Sequence, residues 1–511
     1  MTNWTDGYVT DVGYIHGYYP ELNPLRTKLA FAKARLVAPD IRVACELGFG
    51  QGLSVNVHAA ASEVEWYGTD FNPTQASFAQ DLATAAGSSA RLFGEAFSEF
   101  CNRTDLPDFD FIGLHGIWSW ISDESRAILV EFIRRKLKVG GILYVSYNTL
   151  PGWANFASVR NLMARHAELV GSPSLDTVSR INGALEFCDR LLATESIHSR
   201  VNPHNAEFFG SLKTRNRQYL AHEFFNRDWA PMYFSTMTEW LGPSMLSYAC
   251  SAHYLDQLDA LNLTAAQQEC LKTVPGIELR ESVRDFLVNQ NFRRDYWVKG
   301  PRRLSRLEQM ETLRTERVLL TTHRPDVSLK VRGALGELDM SEVLYNSVLD
   351  VLSEHTPMEM GKLEDVIKDR NFSLEQILDA TIALIGSGHV ASVQEDALIT
   401  RGRKRTEKLN AYLLRKARSS NEVGSLASPV IGGAIAVDRF NQLFLLSLHE
   451  GKTRPDEWAK TAWEILLAQG QRLVKEGKPL EQEDEGLNEL SLQAQIFSEK
   501  QLPILKAAQI V

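Results

Sequence analysis

The chain has 511 residues, 44% of them hydrophobic and 23% charged, and a formal net charge of −9. That length is several times one folding core and the composition is globular, so disordered and fibrous classes are excluded and two to four cores are expected. The acidity, and the absence of a long Lys/Arg block, argue against a protein whose main task is gripping nucleic acid.

Five cysteines (Cys45, Cys101, Cys188, Cys250, Cys270) are scattered without a C-x-x-C pair. Neither a disulfide framework nor a metal site is expected from that spacing. Met1 to Tyr14 is polar, with no basic residue ahead of an apolar core, unlike a signal peptide. The longest apolar stretches, Val430–Val437 and Leu443–Leu448, are too short to span a bilayer. A cytoplasmic protein with no membrane span is expected.

From about 40 to 150, short apolar runs alternate with helical segments. Ile41–Leu47, Val64–Thr69, Ala90–Phe93, Asp110–Leu114 and Ile142–Tyr147 read as buried strands, and Pro73–Ala86 and Asp123–Lys138 as crossover helices. That alternation predicts βαβ units and a parallel sheet covered on both faces. From 154 to 320 the pattern reads as mainly helical, broken by loop signals at Asn202-Pro203 and Gly242-Pro243. Arg317–Thr322 and Val327–Val331 read as a strand pair. Leu344–Leu352, Leu363–Ile367 and Leu374–Ile385 read as three short helices, followed by a strand pair from His389, an order resembling a winged helix. The acidity favours protein contacts over DNA for that segment. The tail from 401 reads as helical, interrupted at Ser425–Gly433 and at the acidic run Glu481–Gly486, read as a solvated loop.

The strongest local signal is Glu46-Leu47-Gly48-Phe49-Gly50-Gln51-Gly52 at the end of the first strand. The glycines permit a tight turn with a ligand against the backbone. The spacing is G-x-G-x-G with Leu53 where a dinucleotide fingerprint has glycine. A pyrophosphate would want a helix N-terminus. S-adenosylmethionine (SAM) instead brings a sulfonium and an amino acid end, which Glu46 suits. Asp70, at the tip of the second strand and followed by Phe71, is placed to accept two ribose hydroxyls. Glu95 and Ala96 follow the third strand, where SAM enzymes commonly place an adenine-contacting acid and its apolar neighbour. The fourth runs into His115-Gly116-Ile117-Trp118, and the last ends in Tyr147-Asn148-Thr149-Leu150-Pro151-Gly152-Trp153, both at the carboxyl edge where open α/β sheets bind ligands. Trp118 and Trp153 also suit plain packing of a domain junction. Tyr14, Tyr18 and Tyr19 are candidates for a lid with rings near the sulfonium, or for a helix packed on the core.

HGIWSWI (115–121), VSYNTLPGW (145–153) and the glycine loop together resemble bacterial class I SAM-dependent methyltransferases that carry a methyltransferase regulatory domain, and are similar to the rickettsial protein lysine methyltransferases. The resemblance extends to Tyr219–Glu223, Phe292–Asp295 and Leu502–Leu505. It implies an α/β fold: a Rossmann-like methyltransferase domain over 1–160, then mainly helical accessory parts at 161–335, 336–400 (winged-helix-like) and 401–511. On that division, a fragment ending near 160 is expected to bind SAM yet fail to methylate.

SAM is the expected cofactor, bound by Tyr14, Tyr19, Glu46, Gly48, Gly50, Gly52, Asp70, Phe71, Glu95, Ala96, His115 and Gly116. His115, Tyr147 and Asn148 are the candidates to orient or deprotonate the acceptor, since a lysine must lose a proton before it attacks. The expected activity is N-methylation of lysine in a protein substrate. Methylation of oxygen or nitrogen in a glycan or small molecule, and a SAM-binding adaptor with little activity, remain open. No nucleic-acid partner is expected, and a homodimer is an open expectation.

Overall fold

The computed structural model describes residues 7–170, 175–475, 478–480 and 482–511. Residues 1–6 of the polar start, and Glu481 of the acidic run, lie outside them. A sheet of seven strands organises the chain: β1 (Val43–Leu47), β2 (Glu65–Thr69), β3 (Arg91–Phe93), β4 (Phe109–Leu114), β5 (Leu137–Asn148), β6 (Leu246–Ser251) and β7 (Phe292–Lys299). Their order is β3-β2-β1-β4-β5-β7-β6. The first five run parallel, whereas β7 pairs antiparallel with both β5 and β6.

Local chemistry accounts for the parallel half. The helix Pro73–Ala86 starts on Asn72, whose side chain accepts from the Thr74 amide, with Pro at its first position, and stops at Gly87 in the left-handed region. The helix Asp123–Lys136 opens on a Ser122 cap with two acids in its first turn and closes on three basic residues, matching its dipole. The strands are apolar on both faces, as a sheet covered on both sides requires.

Four expectations are corrected. The stretch 154–320 is not simply helical, because β6 and β7 complete the sheet begun by the first 150 residues. Arg317–Leu320, here β8, does not pair with Val327–Val331. The latter stretch overlaps β9 (Lys330–Gly333), which forms a hairpin with β10 (Gly336–Asp339). The winged-helix-like part has its three helices, Glu342–Val351, Met360–Ile367 and Leu374–Gly386. The stretch from His389 supplies one strand instead of a pair: β12 (Val390–Ser392) pairs back to β8, which also holds β11 (Met358–Glu359). The acidic run does not stay a loop, since Glu483–Ile496 is a helix. A Cβ on Gly486 would lie 2.4 Å from the Trp463 ring, so glycine lets this helix close on its neighbour.

Ser425–Gly433 contains a hairpin strand, β13 (Ser425–Ser428), paired with β14 (Gly433–Ala436). The C-terminal part is packed on the sheet's helices: Leu53, Val57 and Leu82 share a core with Leu409, Leu413, Phe444 and Trp458. Cys45, Cys101, Cys188 and Cys250 are buried and Cys270 is exposed, all as free thiols. Among the described residues no helix is long and apolar enough to cross a membrane.

Candidate active site

Gly48, Gly50 and Gly52 follow β1 with φ of 75°, 57° and 70°. A Cβ at Gly52 would sit 2.4 Å from that of Ala79, and one at Gly48 2.3 Å from Ile117 Cδ1, so the turn closes only with glycine. Asp70 braces it: one carboxylate oxygen accepts from the Gly50 amide at 2.9 Å, the other from the Asn72 amide at 2.9 Å. Glu46 is buried with one oxygen lacking any hydrogen-bond partner. Burial pushes Asp70 up to about 7 and Glu46 up to about 8, the latter helped by the neighbouring Asp70. A buried carboxylate with an unpartnered oxygen, as at Glu46, is unfavourable unless a ligand completes it. A ligand with a positive charge and vicinal hydroxyls does so, which is the chemistry of SAM.

The other expected cofactor residues surround this loop. The Tyr14 ring lies 3.1 Å from where a Gly50 Cβ would be, and its hydroxyl 3.6 Å from that position at Gly116. Its carbonyl accepts from the Gln51 side chain at 3.3 Å. The Tyr19 ring stacks on His115 at 3.7 Å, and the Tyr19 amide donates to Ser54 Oγ at 2.9 Å. Phe71 meets the Tyr8 ring edge-on at 5.8 Å. Glu95 takes Arg103 at 2.7 Å on one oxygen and keeps the other buried and unpartnered, while the Ala96 amide donates to Glu99. Tyr18 leaves the group, facing His58 at 3.3 Å and the C-terminal hairpin.

Next to the loop is a cavity of about 330 Å³ whose lining includes Tyr14, Tyr19, His115, Gly116, Trp120, Asn148, Tyr219 and Glu223. Asn148 Nδ2 donates to Glu223 Oε1 at 3.3 Å. Burial lifts Glu223 to about 7. His115 shares a 2.7 Å bond between Nδ1 and the Tyr144 hydroxyl, and burial lowers it to about 4. It is therefore neutral near pH 7, suited to orienting a group rather than to gripping a proton. Tyr147 is not brought to this cavity. Side chains alternate along a strand; Tyr147 points to the other face of β5 and donates to Asp295 Oδ2 at 2.8 Å.

Sequence reasoning missed Tyr8, Asn291, Phe292 and the helix Arg217–Phe224 as walls of this cavity. A signal was present in that helix: Tyr219, His222 and Glu223 share one face by i, i+3, i+4 spacing, opposite buried Leu220 and Ala221. Trp118 is a core residue, whereas Trp153 packs in a second cluster and also lines this cavity. Gly152 is needed because a Cβ there would fall 2.5 Å from the Asn291 backbone. Among the described residues no group of His, Cys, Asp and Glu is arranged to hold a metal ion.

Two outcomes follow from the carboxylates. Asp70→Ala is expected to weaken SAM binding by roughly 2–4 kcal/mol, through a lost charge-assisted contact and a loosened glycine loop. Titration calorimetry measures this, and wild-type affinity in the variant would remove Asp70 from the site. Glu46 and Asp70 also carry folded-state values raised to about 8 and 7. The folded chain then holds protons that the unfolded chain has released, so their contribution to ligand-free stability falls as pH rises from about 4 to 8. Glu46→Gln should flatten that decline in denaturant midpoint; an unchanged pH dependence would show that Glu46 is ionised throughout.

A family model described as a predicted methyltransferase regulatory domain matches residues 216–299, the segment carrying Tyr219–Glu223, β6 and β7. The uncharacterized protein sll1526 of Synechocystis is 38% identical over 507 residues, 98% of each chain. The uncharacterized protein RP789 of Rickettsia prowazekii is 27% identical over 293 residues, 55% of this chain and 51% of that one. The structure of PKMT2 from Rickettsia typhi in complex with AdoHcy superposes with a TM-score of 0.71, covering 97% of this chain and 99% of that one at 18% identity, a likeness of fold. With that near full-length relative, the chain belongs to the sll1526 family; it shares the fold of PKMT2 and carries a segment matching a predicted methyltransferase regulatory domain.

Proposed function

We propose that this chain transfers a methyl group from SAM to the side-chain nitrogen of lysine in a protein substrate. The observation that carries the reading is the juxtaposition at Tyr14 and Gly116. On one side lie the buried carboxylates Glu46 and Asp70; on the other lies a cavity walled by aromatic rings with the Glu223 carboxylate inside. Aromatic faces and a carboxylate together favour a primary ammonium over a neutral acceptor.

Glu46 would face the cationic end of SAM and Asp70 its ribose, with the glycine turn leaving room for both. Bound there, SAM supplies an electrophilic methyl group. The chain's own work is to align and deprotonate the acceptor. Glu223, held by Asn148 and poised near neutrality, takes a proton from the lysine ammonium, leaving the nitrogen lone pair free to attack. Neutral His115, fixed between Tyr19 and Tyr144, shapes the approach of that nitrogen. The rings of Tyr14 and Tyr219 keep water from the amine.

Incubation of the full chain with methyl-labelled SAM and a cell lysate tests this reading. Label recovered as Nε-methyllysine after protein hydrolysis is the expected result. Label confined to small molecules or glycans would replace lysine with another acceptor, and no label anywhere would favour an adaptor.

A further inference from the structure

A second cavity, of about 340 Å³, lies on the opposite face of β7 from the site just described, lined almost entirely by residues of the matched regulatory segment. At its base is Arg293, whose guanidinium meets three carboxylates: Asp295 at 2.8 Å, Asp285 at 2.5 Å and Glu281 at 2.9 Å. Asp285 is 3% exposed, and its second oxygen is buried with no hydrogen-bond partner. Were all three acids ionised, one guanidinium would leave two negative charges over; burial raises Asp285 and Asp295, so part of that excess is held as protons. The remaining bases of the lining do not balance the rest: Lys33 pairs with Asp379, Arg284 with Asp259, and Arg280 is exposed. The Tyr248 ring, which also lines the cavity, already has Arg293 over it at 5.3 Å.

We infer that this cavity binds a small organic cation, a primary ammonium or guanidinium compound, that hydrogen-bonds the free oxygen of Asp285 beside the Tyr248 ring. The volume suits a small ligand. A carboxylate beside an aromatic ring is the recognition such a cation uses. The three acids surround a guanidinium rather than converging on a point, which disfavours a metal ion. Burial raises Asp285 to about 7, consistent with a charge that awaits a counterion.

The site is wired to the catalytic cavity. Gln290 lines the second cavity, and its carbonyl accepts from Thr149 Oγ1 at 2.5 Å and from the Gly152 amide at 2.8 Å. Asn291 and Phe292 line the catalytic cavity, and Arg293 follows them on β7. Tyr147, on the strand that carries Asn148, bonds to Asp295. An occupied site would therefore bias the position of the 290–293 strand and of the acceptor wall.

Calorimetric titration of the full chain with butylammonium and guanidinium chlorides, against sodium chloride at equal ionic strength, tests the inference. The expected result is saturable binding, weakened at least tenfold by Asp285→Asn and retained by Glu223→Gln. Binding that survives Asp285→Asn and vanishes in Glu223→Gln would place the cation in the catalytic cavity and overturn the proposal. No saturable binding by either cation would also overturn it. Should Asp285→Asn fail to fold by circular dichroism, Glu281→Gln, at the edge of the cluster, is expected to weaken binding in the same direction, and unchanged affinity there would be equally decisive.

Discussion

A fragment ending at residue 160 is expected neither to fold cooperatively nor to bind SAM, although it contains the whole glycine loop, Asp70 and Glu95. Division by sequence pattern makes that fragment a self-sufficient domain; the sheet argues the reverse. β7 covers the C-terminal part of β5, from Ile142 opposite Val298 to Asn148 opposite Phe292. Cutting at 160 turns a central strand into a bare apolar edge, the arrangement most prone to aggregate. It also strips Leu53, Val57 and Leu82 of Leu409, Leu413, Phe444 and Trp458. At about 1.5–3 kcal/mol for each large side chain returned to water, these losses rival the roughly 5–15 kcal/mol that holds a typical domain folded. Denaturant unfolding followed by circular dichroism, with calorimetry for SAM, reads the outcome. A soluble fragment with a sigmoidal transition and full affinity would show that β6, β7 and the C-terminal helices only decorate the fold.

Glu223→Gln is expected to lower the rate of methyl transfer by about 10²–10⁴, the usual contribution of a positioned base, while changing SAM affinity little. Glutamine keeps the shape and still accepts from Asn148, so structure is preserved and only the proton acceptor is lost. With Glu223 near 7, the wild-type rate should climb with pH through neutrality as the carboxylate ionises. The variant should lose that rise. Single-turnover rates on a lysine-bearing acceptor across pH 5.5–9 are the measurement. A variant with the wild-type rate and the same rise would assign deprotonation elsewhere, since His115, lowered to about 4, is already neutral across that range.

Much of the cofactor side was legible in the sequence because its chemistry is local. Glycines at 48, 50 and 52 are dictated by positive φ in a tight turn, and Asp70, at the tip of the neighbouring strand, braces that turn. The β5 motif was legible as important but ambiguous in detail. Strand alternation sends Asn148 into the cavity and Tyr147 away from it, and that depends on which face the cavity occupies. Of the two tryptophans that suited either chemistry or packing, Trp118 is core and Trp153 both packs and lines the cavity.

Tertiary structure decided the cavity proposed for the acceptor. Glu223 sits far along the chain from Asn148, and only docking of the helix Arg217–Phe224 against the end of β5 brings them to 3.3 Å. β7 was hidden because Phe292–Lys299 carries Arg293, Arg294 and Asp295, charges that argue against a central strand until each finds a partner: Arg293 with three acids, Arg294 with Glu21, Asp295 with Tyr147. The sequence by itself determined the parallel βαβ half, the glycine turn and the chemistry of its ligand, because those depend on periodicity and on residues close in the chain. Which strands close the sheet, which side chains face the acceptor, and which buried acids stand together depended on long-range pairing, where burial and charge compensation between distant segments outweigh local pattern.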